Sequence, residues 1–398
     1  MIIQFSVRNF MSFKEQAVLD MTAIHAYKEH DYNLIHLGMD EKYLRVAAIY
    51  GANASGKSNF HIAFKVFQRI IVESLKNVSN GEKVVIDEYY QPFLFCEEKN
   101  STEFEILLNL NGFEYKYGFE YNESKIINEW MYRKNNSTNR NTIIFERSCN
   151  ESIHFGASVK KYCAQYGDQM PQETLVLSFF NKLKLKTDIF NIVYSGIMET
   201  FAMSTDFYEN YSIFDRFLSR IIDHSKIKLL TFLSAIDTGI KDINYVQTEN
   251  EVEFYTIHHD AKGNDYSLSL LKESEGTLKS MAIYIYADLA IRYDKSLFVD
   301  ELNVKLHPLL LKFIIDLFYE KTSKAQLIYS THDTTLLDKK FFRRDQIWFV
   351  QKDSNGNSEL SSLSDFKVRT DASFEKDYLA GVYGGIPLLK EFCLKGGE

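Results

Sequence analysis

Leu44-Arg-Val-Ala-Ala-Ile-Tyr50 runs without a break into Gly51-Ala-Asn-Ala-Ser-Gly-Lys57-Ser58-Asn59, and the reading of this stretch decides the fold. Its first half is short and almost wholly apolar, the mark of a strand buried on both faces of a parallel or mixed sheet. Its second half places two glycines around four intervening residues and closes on Lys-Ser. Beyond it Phe60, Ala63, Phe64, Phe67, Ile70 and Ile71 recur at helical spacing, so strand, glycine loop and helix follow one another. Glycines in that setting let backbone N–H groups turn inward, and the helix adds its positive end, which together suit a chain of phosphates. Lys57 is the residue to bridge the outer phosphates and Ser58 the one to hold Mg2+. Gly51, Asn53, Ser55, Gly56 and Asn59 make up the rest of the expected contacts.

Such a loop needs a second half, and Leu297-Phe-Val-Asp300-Glu301 supplies it. An apolar strand delivers Asp300 at its carboxyl end to hold the Mg2+ shell, and Glu301 follows as the general base that polarises water. Leu327-Ile-Tyr-Ser330-Thr331-His332-Asp333 is another buried strand, and its His332 is placed to sense a terminal phosphate. Lys272-Glu-Ser274-Glu275-Gly276-Thr277 opens a helix before the Asp300 strand, and a helix start bearing Ser274 and Gly276 is a second phosphate-binding surface. That surface is expected to face the nucleotide of a partner.

Outward from these motifs, residues 2–10 alternate as an opening strand through Ile3, Phe5 and Val7. Glu103 to Leu110 and Phe113 to Tyr121 flank Asn111-Gly112, the pair a type I′ hairpin turn requires. Phe113, Tyr115, Tyr117, Phe119 and Tyr121 share one face of that hairpin, a row that reads as buried core before base stacking. Residues 173–240 read as mostly helical, and Val252–Ile257 with Tyr266–Leu270 as a two-stranded element. Helices are expected over 276–293 and from Pro308, and a closing strand at 346–350 turns at Asn355-Gly356.

Of 398 residues, 45% are apolar and 25% charged, and only four are proline, which predicts lobes around a shared core. Three regions are expected: a lobe over 1–150 with the glycine loop and β hairpins, a helical insertion over 151–245, and a lobe over 246–398 with the remaining motifs. The start lacks a secretion signal and no run approaches the ~18 apolar residues that span a bilayer, so a cytoplasmic protein without a membrane partner is expected. The four cysteines, Cys96, Cys149, Cys163 and Cys393, form no CxxC pair and read as ordinary thiols. The net charge of −8 gives no overall pull toward nucleic acid. Basic clusters at Lys182, Lys184 and Lys186 and at Lys339, Lys340, Arg343 and Arg344 read as solvated charge. Asp365, Asp371, Glu375 and Asp377 read as loop charges, not as a metal site.

With these motifs, the chain resembles ABC-type ATPases of the structural-maintenance-of-chromosomes, RecF and overcoming-lysogenization-defect group. Within it, the chain resembles the compact ATP-binding proteins of bacterial abortive-infection and phage-defence loci. Ile3-Gln-Phe-Ser-Val-Arg-Asn-Phe10-Met-Ser-Phe13, the glycine loop, Ser274-Glu-Gly-Thr277, Val299-Asp-Glu-Leu302 with Lys305-Leu-His-Pro308, Ser330-Thr-His-Asp333 and Tyr378-Leu-Ala-Gly-Val-Tyr383-Gly-Gly carry that likeness. The resemblance implies an α/β P-loop NTPase, ABC-ATPase-like, with an N-terminal antiparallel β subdomain, ATP and Mg2+ as ligands, and slow hydrolysis. It implies a homodimer or higher homo-oligomer, Ser274 and Gly276 against the partner's terminal phosphate, Asn303 and His307 in a loop between subunits, and His332 as a switch histidine. Glu275 stands where the family places the first of two glycines, and Gln91 is the candidate for the glutamine that links the lobes. A sensor or regulatory ATPase with a separate effector, a nuclease or toxin, is the leading expectation, since the 65 residues after Asp333 are too few for a nuclease domain of ~100 or more. An ATP-gated DNA clamp is the alternative, which keeps DNA as a candidate partner.

Overall fold

The computed structural model describes residues 1–37, 41–75, 85–96, 100–204, 211–248, 252–369 and 372–386; Asp371 and Cys393 lie outside them. Strands β1 (Ile2–Arg8) and β2 (Ala17–Asp20) open the chain, and β3 (Leu34–His36) and β4 (Lys42–Leu44) form a small ribbon. Next come β5 (Val46–Tyr50), the glycine loop, α1 (Lys57–Glu73) and a short α2 (Val85–Tyr89). An antiparallel run follows: β6 (Thr102–Leu110), β7 (Phe113–Tyr121), β8 (Ile126–Asn135), β9 (Asn141–Ser148) and β10 (His154–Phe155). Helices α3 (Lys160–Cys163), α4 (Val176–Leu183) and α5 (Ile189–Met198) lead to β11 (Phe201–Met203) and α6 (Tyr211–Ala235). Then β12 (Ile240–Gln247), β13 (Val252–His259) and β14 (Asp265–Ser269) precede α7 (Glu275–Arg292). The remainder is β15 (Ser296–Val299), α8 (Pro308–Leu317), β16 (Gln326–Thr331), β17 (Ile347–Lys352), β18 (Ser358–Ser362) and α9 (Phe374–Leu379).

Among the described residues two large sheets carry the fold. One is antiparallel, in the order β10-β9-β8-β7-β6-β1-β2. The other runs β11-β15-β16-β5-β17-β18, parallel from β11 to β17 with β18 antiparallel at the edge. Every residue of β5 is buried, and the two-residue period of a strand divides them between two cores. Ala47 and Ile49 join the core formed by α1 and the antiparallel sheet, while Val46, Ala48 and Tyr50 join the one formed with α7 and α8. Helix α1 is wedged between the sheets: Phe64 meets Phe5 at 5.0 Å on one side and Phe298 at 6.0 Å on the other. Burying each such ring contributes roughly 1.5–3 kcal/mol, which fixes the helix that begins at Lys57. This is an α/β fold with both faces of its parallel sheet covered.

One buried polar group ties the two sheets together, and another ties the antiparallel sheet to α4. Gln326 accepts from the Ile2 N–H (2.7 Å) and the Ser296 hydroxyl (3.0 Å), and donates to the Ile2 (2.9 Å) and Leu44 (3.1 Å) carbonyls. Glu129 of β8 accepts from the N–H groups of Val176 (2.7 Å) and Leu177 (3.1 Å) and from the Tyr117 hydroxyl (3.0 Å). It thereby caps α4 from another element, and burial pushes its carboxyl up to about 7 even with Arg147 3.9 Å away.

The hairpin row is core: Tyr115, Tyr117, Phe119 and Tyr121 are buried, Phe113 packs at the margin, and Phe119 stacks on Phe67. Asn111 and Gly112 both take positive φ, 53° and 79°, as a type I′ turn demands. Two expectations need correction, and the mostly helical reading of 173–240 gains one short strand. The element around 252–270 has a third strand, β12, whose alternation is broken by a register shift between Ile240 and Asp242. Helical residues 173–240 are interrupted by β11, three residues long and too short for any period to show. Arg343 is not solvated: it is 1% exposed, paired with Asp345, and donates to the carbonyls of Ile24, Tyr27 and Glu29.

Candidate active site

The loops that follow the carboxyl ends of β5, β15 and β16 meet along one edge of the parallel sheet, where open α/β sheets bind ligands. Because β16 lies between β5 and β15, its terminal residues stand between the glycine loop and the Asp300–Glu301 turn.

In the glycine loop Ala54 and Gly56 take positive φ, 62° and 115°, and Gly56 precedes the first turn of α1. Gly56 has no room for a side chain, since a Cβ would overlap the Ser358 hydroxyl and come within 2.8 Å of that of Ser12. Those two serines brace the loop from behind: Ser358 donates to the Ser55 carbonyl (2.6 Å), and Ser12 accepts from the Asn59 side chain (2.8 Å). Ser55 is buried, Ser58 half-buried and Asn53 exposed. Lys57 is 5% exposed, and its ammonium donates at 2.8 Å to the carbonyls of both Gly51 and Ala52. Burial lowers its pKa, against the opposing pull of Glu301 and Asp300.

Across from the loop, one hydroxyl organises both acidic residues. Ser330 Oγ accepts from the Glu301 N–H at 2.7 Å and donates to Asp300 Oδ1 at 2.5 Å. Asp300 is buried, while Glu301 is half-exposed with φ of 47°, a left-handed conformation that a non-glycine residue holds only under constraint. The next residues form a chain of hydrogen bonds with one consistent direction. The Asp333 N–H donates to Thr331 Oγ1 (3.0 Å), so that hydroxyl donates to Asn303 Oδ1 (2.9 Å). The Asn303 amide nitrogen then faces His332 Nε2 at 3.2 Å, which makes Nε2 the acceptor and leaves the ring proton on Nδ1. His332 is exposed, with that N–H available as a donor.

Ser274 is the N-cap of α7, its hydroxyl accepting from the Thr277 N–H at 3.1 Å, and it lies exposed. Gly276 packs against the Lys305 carbonyl, 2.9 Å from where a Cβ would sit. His307 caps α8, its Nδ1 accepting from the Leu309 N–H at 3.2 Å. Gln91 accepts through its carbonyl from the Met11 N–H (2.7 Å) and borders, with Ser12 and Asn59, a cleft of about 460 Å³. Asp365, Glu375 and Asp377 each accept a hydrogen bond, from the Ser362 N–H and from the Thr334 and Tyr383 hydroxyls respectively. No group of three metal-ligating side chains occurs among the described residues.

Sequence reasoning gave no role to Ser12, Ser330, Ser358 or Lys279. Lys279 is 3% exposed, donates from Nζ to the Glu301 carbonyl at 2.9 Å, and has its pKa pulled by burial down to about 8. Its only signal in the sequence is a lysine next to the apolar run of α7 that begins at Met281.

The residues fit a magnesium nucleotide. The cradle at Gly56 admits no side chain, the buried Lys57 ammonium rests on neutral carbonyls, and a carboxylate–hydroxyl pair stands opposite. No helix among the described residues is long and apolar enough to cross a membrane.

Solved structures similar in fold include the SMC head domain from Thermotoga maritima, at 15% identity and TM-score 0.42 over 92% of this chain and 99% of that one. The Smc head domain bound to the C-terminal domain of ScpA derived from Pyrococcus furiosus is similar at 13% identity and TM-score 0.41, over 96% and 99%. No curated protein matches the chain. The family described as AAA domain, putative AbiEii toxin, Type IV TA system matches residues 46–338, a span that begins at β5 and ends beyond His332. Glycine loop, acidic turn and histidine thus all fall inside the matched span, and the chain belongs to that AAA-domain family of P-loop ATPases.

Proposed function

We propose that the chain hydrolyses ATP slowly, at a site completed when Ser274 and Gly276 of a second copy close over a nucleotide held by Gly51–Asn59. The observation that carries this reading is the single hydroxyl of Ser330, which aligns Asp300 and Glu301 at the edge facing Lys57. Lys57 and the loop N–H groups bind and orient the triphosphate, and Ser58 with Asp300 would hold Mg2+, which would offset charge on the phosphates. Glu301 takes the proton of the attacking water. His332, with Nδ1–H as donor, senses the terminal phosphate, and Asn303 fixes the ring that does so.

In the cell, this ATPase acts in the cytoplasm as the sensor or regulatory part of an anti-phage system of the abortive-infection type, with a separate effector. The family description, which names a putative toxin of a toxin–antitoxin system, supports that setting. The net charge of −8 favours a protein partner over DNA.

The decisive experiment compares two variants with Mg2+ and ATP. Lys57→Ala loses nucleotide binding, whereas Glu301→Gln keeps it, loses turnover and accumulates as nucleotide-bound dimers. Unchanged ATP affinity in Lys57→Ala removes the loop from its role. A Glu301→Gln protein that stays monomeric at saturating ATP removes the shared site.

A further inference from the structure

The start of α7 and the turn after Glu301 are joined at three points. Lys279 donates to the Glu301 carbonyl at 2.9 Å, Gly276 lies against the Lys305 carbonyl, and Glu275 pairs with Lys305 at the surface. From the other side, Ser330 of β16 holds the Glu301 N–H at 2.7 Å. Glu301 is therefore held at N–H by β16 and at C=O by α7 as well as by the Val304 N–H of its own turn (3.1 Å), and these contacts frame its left-handed φ of 47°.

A buried ammonium is a costly way to satisfy one carbonyl, since an apolar side chain of similar length would fill the same space without desolvating a charge. Lys279 is 3% exposed, and burial disfavours its charge while Glu301 and Asp300 favour it. The fold thus keeps a cation that is costly to bury at the point where it can steer the acidic turn. Ser274 and Lys279 lie within the first turns of one helix, about 7 Å apart along its axis, so a push on the first displaces the second.

We propose that Lys279 is a positioning residue through which the start of α7, on meeting a partner's nucleotide, sets the backbone and hence the aim of Glu301 in its own chain. The inference rests on the cross-subunit reading given above. It makes hydrolysis at one site respond to occupancy of the other, with no ligand contact by Lys279 itself.

The test uses the full chain with Mg2+ and ATP, and measures nucleotide affinity, ATP-dependent self-association, kcat, KM and Tm for Lys279→Met. Expected are affinity and KM within about twofold of wild type, retained self-association, a Tm no lower than wild type, and kcat down by about tenfold or more. A merely structural lysine would lower Tm and affinity together with kcat, and that pattern overturns the proposal, as does a kcat within about twofold of wild type. Should Lys279→Met fail to fold, Lys279→Arg retains more turnover than Lys279→Gln because it keeps a cationic donor; equal turnover in those two also overturns it. Ser274→Arg, measured alongside, separates the two claims. If Ser274→Arg is inactive while Lys279→Met turns over normally, only the role of Lys279 falls; if Ser274→Arg turns over normally, the cross-subunit reading falls with it.

Discussion

Gly56 shows how much a single hydrogen atom in place of a methyl can decide. Its φ of 115° and the two hydroxyls behind it leave no place for a Cβ, so the loop curvature that presents N–H groups to phosphate depends on Ser12 and Ser358 as well as on the glycine. Gly56→Ala is expected to destabilise the chain by about 1–3 kcal/mol and to weaken ATP binding at least about tenfold. Urea unfolding and nucleotide titration check the two effects, and an alanine variant with wild-type affinity would show the loop to be more compliant than its packing implies. The same residue scale explains the limits of sequence reading. Glycine, lysine and the Asp-Glu pair announce themselves by spacing, whereas Ser12, Ser330 and Ser358 are common residues whose meaning comes from neighbours in other elements, 30 positions away for Ser330 and Asp300 and 346 for Ser12 and Ser358.

Among the elements, strands with strong alternation or a long apolar run were legible, and so were helices opened by Pro308 or the glycine loop. Those set by tertiary contact were not: β11 exists because β15 offers it an edge, and β12 hides behind a bulge. Arg343 looked like surface charge because sequence does not reveal that three carbonyls and Asp345 converge on it. Helix α4 is another such case, capped by Glu129 from β8, which brings a pH prediction at this scale. The Glu129 carboxyl titrates near 7 in the fold, against about 4.3 for an ordinary glutamate. Between those values the folded chain holds a proton that the unfolded chain has released, so stability is greatest on the acid side and declines as pH rises toward 7. Tm measured at pH 5.5 and 8 should therefore fall further for wild type than for Glu129→Gln; parallel declines would mean that the carboxyl is already ionised in the fold.

For the whole molecule, the glycine loop and Ser274 lie on the same chain, so in the proposed dimer each copy both holds a nucleotide and covers its partner's. Two inactive variants should then rescue one another. In an equal mixture of Lys57→Ala and Ser274→Arg, random pairing makes half the dimers mixed, each with one sound site beside an empty one, so turnover returns to at most about a quarter of wild type, and to less by whatever factor the coupling through Lys279 contributes. Turnover in the mixture no higher than in either variant alone would place both half-sites within a single copy. Lys57 carries a consequence of another kind. In the proposed function the same lysine serves the triphosphate, so its hold on two carbonyls of its own loop acts as a latch that has to lift first. The waiting time for lifting then sets a ceiling on how fast the protein can load, and above some concentration more ATP no longer shortens the delay.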